Sequence, residues 1–113
     1  MRVVKKGTDY CIKLSDEPAI DGLRPCANVM YESLENCQYD EITCVVLTGM
    51  GADGTKGIQG LAAHHKKLHV IAQDADTCVV YGMPKAIAQT GLVDEVVPLG
   101  SVAETITKNV GVS

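Results

Sequence analysis

The run Gly49-Met50-Gly51-Ala52-Asp53-Gly54 sets one carboxylate among three glycines. Three chemistries fit that pattern. The spacing matches G-x-G-x-x-G, in which glycines let a backbone approach a pyrophosphate, and Asp74 lies twenty residues beyond Gly54, where a ribose-binding acid would sit. Against this, a carboxylate at position 53 would repel the phosphate and compete for the same N–H donors. A structural role is the second option: Asp53 as helix N-cap, accepting from the N–H of Thr55 or Lys56, with glycines permitting the turn. In the third, the Asp53 carboxylate accepts the Nδ1–H of a histidine, fixes its tautomer and stabilises the imidazolium formed when a serine is deprotonated. Backbone N–H groups of the same turn would then serve an oxyanion hole. Spacing alone does not choose among the three.

The elements around this run must position it. Ile42–Thr48 is continuously apolar, which suits a parallel strand covered on both faces. A helix is expected from about Asp53 to His65, with Ile58, Leu61, Ala62 and His65 on one face. A strand at Leu68–Ala72, a loop at 73–76, a helix at Pro84–Gln89 and a strand at Val93–Val97 follow. A final helix, about Val102–Lys108, takes Ser101 as its expected N-cap. Thr77–Gly82 reads equally as helix or extended chain. Upstream, Arg2–Lys6 and Cys11–Leu14 flank Gly7-Thr8-Asp9 as a hairpin. Residues 15–22 read as loop. Arg24-Pro25 opens a helix reaching about Cys37, with Cys26, Val29, Met30 and Leu34 at helical spacing. The sum is a hairpin and then α-β-α-β-α-β-α, an α/β domain whose parallel sheet has helices on both faces. Ligands bind such sheets at the C-terminal strand edge, and the only Gly-rich loop in that position is 49–54.

Composition excludes several classes. The chain has 113 residues, a net charge of −4 and no basic run longer than Lys5-Lys6 or Lys66-Lys67, so no nucleic acid is expected as partner. No apolar run approaches the roughly 18 residues of a membrane span, and the N-terminus lacks a signal peptide's apolar core. Five scattered cysteines without C-x-x-C suit neither a disulfide framework nor zinc, which points to a reducing, cytoplasmic setting. No metal and no cofactor are expected.

Several blocks in order resemble the CheB-type protein-glutamate methylesterases of chemotaxis. Val45–Gly54 is similar to that family's strand and loop. Arg24-Pro25 and the following helix resemble its R-P-S helix, with Cys26 in place of the usual Ser. Ile71–Asp74 leading into Thr77–Ala86 is close to its pattern, Gly91–Leu99 matches its closing strand, and Lys13–Asp16 looks like its last hairpin strand. The resemblance covers nearly the whole chain and is strongest over 45–99. It implies a three-layer α/β sandwich with a Ser-His-Asp triad that hydrolyses γ-glutamyl methyl esters on chemoreceptors, in some members also deamidating glutamines, and that is gated in full-length proteins by a receiver domain. It implies Asp53 as the triad acid and the Met50 backbone N–H as an oxyanion donor. Gly49, Gly51, Gly54, Met83 and Pro84 would form the site wall.

The family's other two triad members have no counterpart here. Its nucleophile lies in a Gly-x-Ser loop upstream of the hairpin, and its histidine follows that loop. Ser15, Ser33, Ser101 and Ser113 are in no such context. His64 and His65 lie about a dozen rises of 1.5 Å along a helix from Asp53, too far to partner it. His69 comes later still, and H-H-x-x-x-H is no recognised ligand spacing. The chain is therefore read as one domain, 1–113, the C-terminal part of a methylesterase-like catalytic domain, incomplete on its N-terminal side and inactive alone. An exposed sheet edge and apolar face are expected, covered by a homodimer. A non-catalytic interaction module of chemotaxis signalling and a small nucleotide-binding domain built on 49–54 are the alternatives.

Overall fold

A computed structural model describes residues 1–14, 18–19, 26–39, 41–64 and 66–111. The expected loop at 15–22, the Arg24-Pro25 helix start, His65 and Ser113 fall wholly or mainly outside these.

The hairpin pairs β1 (Arg2–Lys6) with β2 (Asp9–Lys13), antiparallel, with Val4 opposite Cys11. Gly7 turns it at φ 65°, the left-handed backbone that glycine adopts without steric cost. It is tied to the body through α1 (Ala27–Glu32) and the turns after it. Val3 N–H donates to Ser33 Oγ at 2.8 Å, Gln38 N–H donates to the Tyr10 hydroxyl at 2.8 Å, and the Tyr10 and Tyr39 rings lie 5.2 Å apart.

Helix α1 is shorter than its periodicity suggests. From Ser33 the chain tightens into successive i−3 bonds, Leu34 to Tyr31, Glu35 to Glu32 and Cys37 to Leu34. The Ser33 hydroxyl also donates to Met30 O at 2.6 Å, a local side-chain bond that competes with helix propagation. Lys66 Nζ then fixes the end of this segment on the Cys37 and Tyr39 carbonyls.

The main sheet has the order β3 (Glu41–Val46), β4 (Lys67–Gln73), β5 (Glu95–Val97), all parallel. Cys44 lies opposite Val70, and Ala72 opposite Val96. Strand side chains alternate faces. One face carries Cys44, Val46, Val70 and Ala72, which pack against Ile58 and Leu61 of α2 (Thr55–Ala63) and Ile87 of α3 (Gly82–Ala88). The other carries His69, Ile71 and Gln73, and faces α4 (Val102–Val110), whose buried residues are Val102 and Thr105. There His69 Nε2 and Asn109 Nδ2 both meet Glu95 Oε2, at 2.6 and 3.0 Å. The continuous apolar character of β3 and β4 thus follows from burial on both faces, as parallel sheets require. Among the described residues β3 pairs only with β4, leaving its other edge without a strand.

Ser101 precedes α4 as expected, but its side chain makes no cap bond. A short 3-10 turn, Leu99–Ser101, winds directly into α4 and holds Ser101 near helical backbone (φ −105°, ψ −2°) rather than the extended form a capping side chain needs. Its carbonyl instead accepts from Thr105 Oγ1.

Candidate functional site: the 49–54 loop and the start of α1

Loop 47–54 leaves the C-terminal end of β3 and turns into α2. Gly51 and Gly54 have φ of 83° and 92°, so the reversal rests on two left-handed positions. The loop is cross-tied to the segment before α3. Thr48 Oγ1 both donates to Val80 O (3.0 Å) and accepts from Val80 N–H (2.8 Å). Gly49 N–H donates to Val80 O, and Gly49 O accepts from Met83 N–H at 2.8 Å. Residues 78–81, ambiguous by pattern, are irregular because they follow this neighbour rather than a periodic ladder.

Two glycines make the approach possible. A Cβ on Gly82 would lie 2.8 Å from Gly51 N and 2.9 Å from Gly49 O, both backbone atoms. A Cβ on Gly49 would run into Met83 Sδ. Met83 thus stands directly against Gly49, and Pro84, next in the chain, is fully buried. Met50, between the tied Gly49 and the left-handed Gly51, is 86% exposed.

Asp53 does not cap its own helix. The N-cap of α2 is Gly54, and Thr55 N–H goes to Ala52 O. The Asp53 carboxylate reaches across to α1, where Oδ2 accepts Ala27 N–H at 2.8 Å and Oδ1 accepts Asn28 N–H at 3.1 Å and the Cys26 thiol at 3.2 Å. These are the orphan donors of a helix start, satisfied from outside the helix. Burial acts to raise the Asp53 pKa, but the Ala27 N–H, the Cys26 thiol and the N–H groups of Asn28 and Gly54 outweigh it and hold the carboxyl below its ordinary value. It is therefore an anion at neutral pH.

Close helix packing brings α1 and α2 together at this point. A Cβ on Gly57 would meet Tyr31 Cβ at 2.6 Å and Asn28 Cα at 3.1 Å. Asn28 Oδ1 accepts Gly57 N–H at 2.8 Å, so this residue holds both Asp53 and α2. Tyr31 is enclosed beside them; burial first, then Cys44 and Asp53, push its hydroxyl up to about 12. A cleft of about 520 Å3 opens here, lined by Cys26, Asn28, residues 50–53 and the first turns of α2, including Lys56 and Gln59.

The loop is also fixed from below. Gln73, 1% exposed, accepts Thr48 N–H and donates to Thr77 O. Asp74 caps the 3-10 turn Ala75–Thr77 through Thr77 N–H and Oγ1. His64 lies at the far end of α2 against Gly60 O and Glu35, and His69 is engaged with Glu95. Neither stands beside Asp53. Among the described residues no group of three or more His, Cys, Asp or Glu could hold a metal ion, and no helix is long and apolar enough to cross a membrane. Sequence reading missed Asn28, Gly57, Gln73 and Gly82. The Gly54-x-x-Gly57-x-x-Gly60 spacing on one helix was the available signal for the α1–α2 contact.

The sequence profile of the CheB methylesterase family matches residues 1–106. The chain belongs to the CheB methylesterase family. A protein-glutamate methylesterase/protein-glutamine glutaminase of Desulfotalea psychrophila is 42% identical over 106 residues, which cover 94% of this chain and 29% of the relative. One from Pseudomonas aeruginosa is 38% identical over 94% of this chain and 30% of its own length. The fold agrees: the crystal structure of the Thermotoga maritima CheB methylesterase catalytic domain superposes with a TM-score of 0.85 at 30% identity, covering 95% of this chain and 56% of that one. This CheB-family chain therefore spans under a third of the length of these curated relatives.

Proposed function

We propose that this chain contributes the acid and oxyanion side of a protein-glutamate methylesterase site, and that it hydrolyses no ester without a serine and a histidine brought by further polypeptide. The reading rests chiefly on one observation. Asp53, at the C-terminal edge of a parallel sheet, is ionised, fixed by three donors and beside an open cleft. The names of the relatives supply the substrate class: methyl esters of protein glutamates, and protein glutamine amides. In chemotaxis those glutamates belong to chemoreceptors.

In the reaction, Asp53 accepts the Nδ1–H of the incoming histidine and steadies the imidazolium formed as the serine attacks the ester carbonyl. The Met50 N–H meets the oxyanion from a loop whose neighbours are already fixed, so little reorganisation is needed as charge develops. Gly49, Gly51 and Gly54 keep backbone rather than side chain at the reacting centre, with Met83 behind Gly49. Among the described residues β3 has an edge without a strand, where strands of further polypeptide, or a second copy of the chain, would pair.

The test is methanol release from a methylated chemoreceptor fragment. The chain is assayed alone and with the Ser- and His-bearing segment of a relative, beside a full-length relative as positive control. The expected result is release only from the mixture, abolished by Asp53→Ala. Release from the chain alone would overturn the predicted inactivity, and release indifferent to Asp53→Ala would overturn the role of Asp53.

A further inference from the structure

Cys26 is 5% exposed, and a buried thiol ordinarily packs as a small hydrophobe. Here it has a polar task. It occupies the N-cap position of α1 with extended backbone (φ −119°, ψ 129°), yet its side chain makes no bond to its own helix. A cap side chain in that backbone normally turns back onto the second or third helical N–H. In this chain Asp53 takes the Ala27 and Asn28 N–H groups instead, which releases the Cys26 side chain to reach Asp53 Oδ1. Of these three bonds from the start of α1, two fall on Oδ1 and one on Oδ2. A carboxylate oxygen has two lone pairs, so Oδ2 retains room for another donor.

We propose that Cys26 is a positioning residue for Asp53: its thiol and the Asn28 N–H pin Oδ1 while the Ala27 N–H orients Oδ2, so that Oδ2 is held ready for a histidine N–H. The inference rests on the reading of Asp53 as the triad acid. The direction of the carboxyl's shift agrees with it, since the thiol is one of the donors that lower it. Among the described residues the other ionisable groups near the carboxylate are Tyr31 of α1, neutral over the acidic range because its hydroxyl is raised to about 12, and Lys56 of α2, lining the same cleft. Substitution at 26 leaves both in place.

The experiment is a carbon-13 NMR titration of the Asp53 carboxyl in the intact chain, comparing wild type, Cys26→Ala and Cys26→Ser, with circular dichroism as the check on folding. A thiol is a weak donor and a hydroxyl a stronger one. Cys26→Ala should move the Asp53 midpoint upward, and Cys26→Ser should bring it below the wild-type value. A general loss of packing would not be reversed by the hydroxyl in this way. One midpoint shared by all three proteins overturns the proposal. If Cys26→Ala does not fold, Cys26→Ser against wild type decides: a lower midpoint supports the assignment, and an unchanged one overturns it. The underlying reading is scored separately, by methanol release from the reconstituted mixture with Asp53→Asn. Unchanged titration with release lost in Asp53→Asn overturns the Cys26 assignment alone. Release that survives Asp53→Asn overturns the triad reading beneath it.

Discussion

Gln73 Oε1 accepts the N–H of Thr48 at 2.8 Å, joining the end of β4 to the loop that leaves β3. The same amide donates to Thr77 O at 2.8 Å and to Thr77 Oγ1 at 3.2 Å. One buried side chain thus ties three segments under the site. Gln73→Leu keeps similar bulk but strands the Thr48 N–H and the Thr77 carbonyl. A buried polar group without a partner costs about 1–3 kcal/mol. The urea midpoint should fall accordingly, and a midpoint equal to wild type would show that solvent reaches these groups.

Asp53 has a structural task separable from chemistry. Asp53→Ala leaves the first N–H groups of α1 without their acceptor. Loss of a helix cap costs about 0.5–2 kcal/mol, so urea unfolding should show a loss of that size. Asp53→Asn should recover only part of it, because an amide retains one acceptor oxygen where the carboxylate offered two. Equal stability of all three proteins would remove Asp53 from the account of how α1 is held.

The acid side follows in sign. The Asp53 carboxyl is lowered from its ordinary 3.8, so the folded chain binds fewer protons than the unfolded one in that range. Its stabilisation is complete above the unfolded value and is lost as pH falls through the lower folded value. Glu95 is lowered too, first by the His69 hydrogen bond and then by Asn109, and acts in the same direction from an exposed position. Urea midpoints taken from neutral pH downward should converge for wild type and Asp53→Asn only below the ordinary carboxylate range. A gap that stays constant across that range would contradict the assignment.

Two glycine substitutions should differ. In Gly82→Ala the new Cβ meets backbone of Gly49 and Gly51 at 2.8–3.1 Å, which cannot yield without moving the loop. Overpacking of this kind costs about 1–3 kcal/mol. In Gly60→Ala the Cβ meets only Oε1 and Cδ of Glu35, the far end of a flexible side chain. A helix-interior alanine gains about 1 kcal/mol over glycine, so this variant should match or exceed wild-type stability. Thermal unfolding of the pair tests the contrast, and a reversed order would refute the packing described around Gly82.

The strands β3 and β4 were legible because burial on both faces leaves a continuous apolar run. The 49–54 loop was legible because its glycines follow such a run. What Asp53 binds was not, since its partners lie 25–27 residues away on another helix, and a local cap at Thr55 fits the same pattern. The need for glycine at 82 is likewise set by backbone more than thirty residues upstream. Ser101 had the right residue type for a cap, but the 3-10 turn before it decided its backbone. The early end of α1 at Glu32 depends on the Ser33 hydroxyl, which periodicity does not register.

The carboxylate at 53 serves two masters, a helix start and a proposed reaction. A lineage that lost the serine or the histidine would stop selecting for catalysis, yet any change at 53 would still loosen α1. The acid would then outlive the activity. Across such descendants an aspartate in this loop reports that the scaffold is kept, and retained chemistry has to be judged from the residues that would complete the triad.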